Sequence, residues 1–238
     1  MNKLFALLFF FCSTASFASC LVGDEVYQKS IKSSVPVYQN CAIIENDEHA
    51  QMRLADIYLN GATGVEKNVM KGLLYLHLAS DNGNAEAQTK LAKILLEMDA
   101  TNQGRNMLIS YINQIKLAFK NDTASSFKGD ILHPYVLLTL AAEPADQKWY
   151  YPTEVKTSSK AIGLLKKYDI DDARKKELLK QGVQWKQRKM METAKEVLSV
   201  TEYKDFESVI YPEKGQPDPF LRKQALSNLR EKVKSYLD

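Results

Sequence analysis

A chain of 238 residues with a formal charge of +3 is long enough to bury a substantial core, and too evenly charged for bulk nucleic-acid binding. Nucleic-acid binders need a concentrated basic footprint. Its three histidines, His49, His77 and His133, are far apart with no second ligand at i+4, so no zinc site is expected.

Residues 1–18 read as an export signal. Lys3 supplies a positive start, Leu4 to Phe11 an apolar run, and Ser16-Phe17-Ala18 a small-x-small cleavage site. That run is too short to span a bilayer. The expected mature chain starts at Ser19 and lies outside the cytoplasm, in the periplasm. Cys12 leaves with the signal, and Cys20 and Cys41 remain as a pair in an oxidising compartment. A bridge between them is worth about 3 kcal/mol by chain entropy. The alternative is a lipidated Cys20 behind Phe17-Ala18-Ser19. Phe17 stands there where such boxes carry Leu or Val, and lipidation orphans Cys41, so the disulfide is the preferred reading.

Residues 19–46 carry Pro36 and the strand-like Val35, Val37 and Tyr38, and are expected to form an N-terminal helix or extended cap. Residues 47–142 are the repeat region. Asn46 or Asp47 can cap a first helix in which Ala50, Leu54, Ile57, Tyr58 and Gly61 share one face. Gly61 and Gly64 break it in a turn. A return helix runs from Lys71 to Ser80, and Asp81-Asn82-Gly83-Asn84 ends it and caps the next. Ala50-Gln51-Met52-Arg53-Leu54-Ala55 then returns as Ala87-Gln88-Thr89-Lys90-Leu91-Ala92, 37 positions later. A period of that size predicts an all-α chain, a solenoid of antiparallel helix pairs.

These residues resemble the Sel-one-like repeat family, relatives of the tetratricopeptide repeats. Ala50, Leu54, Tyr58, Gly61, Gly64-Val65, Tyr75, Ala79, Gly83, Ala85, Ala87 and Gln88 match its pattern in order over about 49 residues. Ala55 replaces the usual Gly, Asn68 the usual Asp and Ser80 the second Ala. The resemblance implies attachment to envelope machinery such as secretion systems, flagellar motors or cell-wall enzymes. It implies two roles beside type VI secretion, positioning the apparatus or acting as an immunity protein.

The second repeat starts well at Leu91, Ala92, Ile94 and Leu95, then loses its Gly-x-Gly turn to Asp99-Ala100-Thr101-Asn102. Its return helix is expected over Gln103 to Lys120, followed by a polar loop and a worn third repeat over Ile131 to Ala142. Residues 143–159 form a linker with the aromatic run Trp149, Tyr150 and Tyr151. The run is either a stacking platform for peptide or glycan or, preferably, a plug between helix pairs.

Residues 160–238 form a divergent helical region. Ala161, Ile162, Leu164, Leu165 and Tyr168 predict one helix, and Leu179, Val183, Met190, Ala194 and Val197 the apolar stripe of a longer one. Eleven basic residues face five acidic ones between Lys160 and Lys195. This is either solvated helix surface or an attraction to anionic lipid or an acidic protein. Thr201 to Gln216 reads as a linker, and Asp218-Pro219 opens a last helix with Leu221, Ala225, Leu229, Val233 and Leu237 on one face, expected to cover the end of the array.

No Gly-x-Ser-x-Gly elbow and no phosphate-cradling glycine loop occurs, and Asp171-Asp172 is explained by a helix start. The expectation is a non-enzyme without cofactor or metal. The leading role is a periplasmic adaptor that binds another protein along its stacked first helices. The contact positions are His49, Met52, Asp56 and Asn60, with Glu86, Thr89, Lys93 and Glu97 from the second repeat. The alternatives are an immunity protein occluding a toxin, and more weakly a glycan binder using Trp149, Tyr150 and Tyr151.

Overall fold

The computed structural model describes residues 20, 22–98, 106–111, 113, 131–144, 148, 157–167, 170–212 and 215–237. The expected signal at 1–18, the turn at 99–102, the loop at 121–129 and the aromatic run at 149–151 lie outside the described residues. The fold is all-α: among the described residues the only β-pairing is an isolated bridge between Ala62 and Val65. No described helix is long and apolar enough to cross a membrane. The chain divides into two compact units, Met1–Pro134 and Tyr135–Asp238.

In the first unit, helix α1 (22–29) precedes α2 (Ile31–Ile44), α3 (Glu48–Asn60), α4 (Val69–Asp81), α5 (Ala85–Met98) and a helical stretch α6 (106–111). The capping segment is therefore helical, and the strand-like Val35, Val37 and Tyr38 lie inside α2. Helix prevails because Ser34, Tyr38, Cys41 and Ala42 fall on one buried face at spacings of three to four. A disulfide between Cys20 and Cys41, with Cα atoms 5.8 Å apart, ties the chain just before α1 to α2.

The connections around α3 to α5 are built from repeating chemistry. The Ala50 N–H donates to Asp47 Oδ1 (2.7 Å), and 37 residues later the Ala87 N–H donates to Asn84 Oδ1 (2.8 Å). Buried Gln51 sends its amide back to the Ala42 carbonyl at the end of α2 (3.0 Å). Buried Gln88 does the same to Ser80 at the end of α4 (3.2 Å). Each glutamine satisfies a carbonyl that its helix end leaves open. Gly61 (φ 75°) ends α3, and the Asn68 side chain starts α4 by accepting the Lys71 N–H at 3.0 Å. Asn68 thus serves as the cap of α4. Consecutive helices pack side by side, α2 on α3, α3 on α4 and α4 on α5, and every residue of α4 from Gly72 to Asp81 is buried.

In the second unit, α7 (Pro134–Ala142), α8 (Ser159–Leu165), α9 (Asp172–Val197), α10 (Val200–Ile210) and α11 (Pro219–Leu237) follow in order. Two sequence expectations change here. The expected linker at 201–216 begins with α10, started by a capping box in which Ser199 and Glu202 exchange hydrogen bonds. The buried stripe of α9 is Leu178, Gly182, Trp185, Lys189, Met190, Thr193 and Ala194, whereas Leu179 and Val183 are exposed. A step of one residue turns a helix by about 100°, so the choice between the neighbouring leucines rotates the whole face. On α11, Leu229 and Val233 are buried as expected, but Leu221 is 48% exposed.

Candidate partner-binding surface

Side by side, α3 and α5 present corresponding turns of the two repeats. Between them lies a groove of about 440 Å³ lined by Asp56, Leu59 and Asn60 of α3 and by Lys90, Lys93, Ile94 and Glu97 of α5. Lys67 and Val69 close one end. The α3 wall is rigidly held. A methyl group on Gly72 of α4 would sit 2.6 Å from Leu59 Cγ and 3.0 Å from its backbone nitrogen, so the two helices touch where only glycine fits. Tyr58 of α3 stacks on Tyr75 of α4, with ring centroids 5.9 Å apart.

The two walls are joined by charge. Lys90 Nζ lies 3.1 Å from both Asp56 Oδ1 and Glu86 Oε1, a bridge spanning 34 residues. Burial alone would lower the Lys90 pKa, but its bonds to Asp56 and Glu86 outweigh burial and raise it. Lys90 is thus a fixed cation inside the groove. Lys93 pairs with Glu97 at 3.7 Å along the outer edge. The lining offers three apolar side chains, Leu59, Val69 and Ile94, among charges of both signs.

Of the eight sequence-chosen contact positions, the groove gathers Asp56, Asn60, Lys93 and Glu97, and Glu86 reaches it through Lys90. Met52 is half-buried outside it. His49 is turned to α1, its Nε2 2.9 Å from Asp24 Oδ2. Thr89 is buried, with its hydroxyl donating to the Ala85 carbonyl at 2.6 Å, and offers nothing to a partner. A position off the apolar stripe on a helical wheel is buried here because neighbouring elements cover more than the stripe. Lys90 was missed; its spacing of four from Glu86 is the signal that could have found it.

Asp24 holds the other end of the unit together. Its carboxylate accepts the Tyr38 hydroxyl at 2.5 Å and faces His49 and, at 3.6 Å, Arg53, whose guanidinium lies over Tyr27. Burial pushes the Asp24 pKa up, but the hydrogen bonds from Tyr38 and His49 and the charges of His49 and Arg53 leave it lowered. Among the described residues the one cluster with metal-ligand spacing is Cys20, Cys41 and Glu45, and its two sulfurs are bonded to each other. Trp149, Tyr150 and Tyr151 lie outside the described residues.

No family model matches the chain. A 68-residue stretch, 29% of the chain, is 32% identical to chitin synthase regulatory factor 1 of Schizosaccharomyces pombe, and the match covers 15% of that protein's length. No solved structure matches the chain.

Proposed function

We propose that this protein is a non-enzymatic adaptor of the exported Sel-one-like repeat type, a short solenoid that holds another protein in the α3–α5 groove. The observation that carries this reading is the groove itself. Equivalent turns of two repeats meet there around the Asp56–Lys90–Glu86 bridge, and stacked helix pairs characteristically offer such surfaces to partners. The Cys20–Cys41 bridge supports export to an oxidising compartment such as the periplasm. The partial relative is by its name a regulatory factor of an enzyme, which is in keeping with a binding role. The site we assign in such a role is the groove, and the machinery served is of the envelope kind, a secretion system among them.

In-cell crosslinking of the exported chain, followed by identification of the captured neighbour, tests this. Asp56→Lys combined with Lys93→Glu should abolish capture while leaving the circular dichroism unchanged, because exposed ion pairs are worth at most about 1 kcal/mol to the fold. Capture that survives the double reversal removes the groove assignment. A tight one-to-one complex that protects cells from a single toxin replaces the adaptor with the immunity reading. Weaker binding that alters assembly of a larger machine keeps the adaptor.

A further inference from the structure

The second unit carries two complementary surfaces that the α3–α5 groove does not involve. The first is a groove of about 660 Å³ between α10 and α11. Phe206 and Leu229 form its buried floor and Val209 and Ala225 its half-buried walls. Its charged lining is mostly acidic. Glu202 is paired with Lys232 at 3.0 Å and Glu231 with Lys234 at 3.1 Å. Asp205 is exposed on the rim and makes no ion pair among the described residues.

The second surface is on α9. Leu179 and Val183 are 40% and 55% exposed, one turn apart on the same face. Lys176, one turn before Leu179, is exposed and also makes no ion pair among the described residues. Two apolar anchors at i and i+4 flanked by a lysine are the features by which an amphipathic helix enters a groove. The lengths agree: residues 172–183 span about 18 Å, and the eleven residues of α10 span about 16 Å at 1.5 Å per residue. Leu179 and Val183 are not among the residues lining the groove of their own chain.

We propose that the second unit binds a second copy of this chain, the α10–α11 groove of one protomer receiving Leu179 and Val183 of another, with Asp205 facing Lys176 across the contact. Apolar anchors supply the area, and the unpaired charges set register and orientation. Each chain carries one groove and one stripe, so a two-fold dimer fills both grooves at once and leaves no open end.

Sedimentation velocity of the full chain over a range of concentrations tests this. The wild type should form dimers that weaken as salt rises. Asp205→Lys and Lys176→Glu should each weaken association about tenfold or more, which is about 1.4 kcal/mol. An equimolar mixture of the two variants should restore it, because the reversed groove then faces the reversed stripe and the native groove the native stripe. Val183→Asp should abolish association without any charge partner being reversed. Unchanged circular dichroism certifies each variant, and among the described residues neither Asp205 nor Lys176 makes an ion pair. A wild type that stays monomeric overturns the proposal. So does association indifferent to the single reversals, or one that mixing fails to restore.

Discussion

Gln51 and Gln88 occupy the same place in successive repeats yet differ in how fully they are satisfied. Gln51 donates to the Ala42 carbonyl and to Asn46 Oδ1, and its Oε1 accepts from Asn82 at 3.1 Å. Gln88 donates to Ser80, but its buried Oε1 has no partner among the described residues. Removing a fully used buried amide strands the groups it served, at about 1–3 kcal/mol. Removing Gln88 also relieves an unsatisfied oxygen. Gln51→Ala should therefore cost about 2 kcal/mol in urea unfolding and Gln88→Ala distinctly less. Equal losses would mean that packing volume, not hydrogen bonding, dominates at both sites. Asp24 gives a pH-dependent counterpart. Its folded pKa lies below the ordinary 3.8, so its stabilising contribution is complete above that value and is lost as pH falls through the lowered one. Asp24→Asn should be less stable than wild type at neutral pH, with the difference closing in strong acid. A gap that persists under acid conditions would remove the carboxylate from the account.

At the scale of the helix, caps decide where elements begin, and caps were the most legible signal in the chain. Asp47, Asn68, Asn84, Asp171 and Asp218 all accept first-turn N–H groups. Ser199 and Glu202 form a reciprocal box, and the spacing Ser-x-x-Glu is legible across the start of the expected linker, which begins at Thr201. Ser199→Ala should cost about 1 kcal/mol and register as earlier thermal unfolding. Burial is less legible than start points. The inner face of α9 contains Gly182, Lys189 and Thr193, so no apolar stripe marks it, and Gly182 is needed where Val136 approaches within 3.2 Å of the place its Cβ would occupy. The candidate site followed the same rule. Asp56, Asn60, Lys93 and Glu97 could be chosen by aligning two repeats. The spacing of four from Glu86 marks Lys90 as a pairing residue, but its bridge to Asp56 emerges only when α3 and α5 lie side by side, because it depends on packing across 34 residues.

Across the whole molecule, the basic excess between Lys160 and Lys195 is the one compositional feature that points to a membrane or an acidic partner. Five of the eleven basic residues in that stretch, all on α9, are held in ion pairs. Lys175 pairs with Asp172 and Lys180 with Glu177, while Arg188 and Lys189 share Glu192. Lys186 pairs with Glu143, and Lys195 sits 5.4 Å over the Tyr203 ring. Among the basic residues of α9, only Arg174 and Lys176 make no ion pair or ring contact among the described residues. At an anionic surface these two and the exposed Lys160, Lys166 and Lys167, which also make no ion pair among the described residues, contribute at most about 5 kcal/mol, no more than the marginal binding of a single acyl chain. The full chain should therefore not sediment with vesicles of about one-fifth anionic lipid at about 0.15 M salt, where screening shortens the reach of surface charge to about 8 Å. Sedimentation persisting at that salt would show that Leu179 and Val183 insert into lipid, and the exposed α9 face would then be a membrane contact and not half of a contact between two chains.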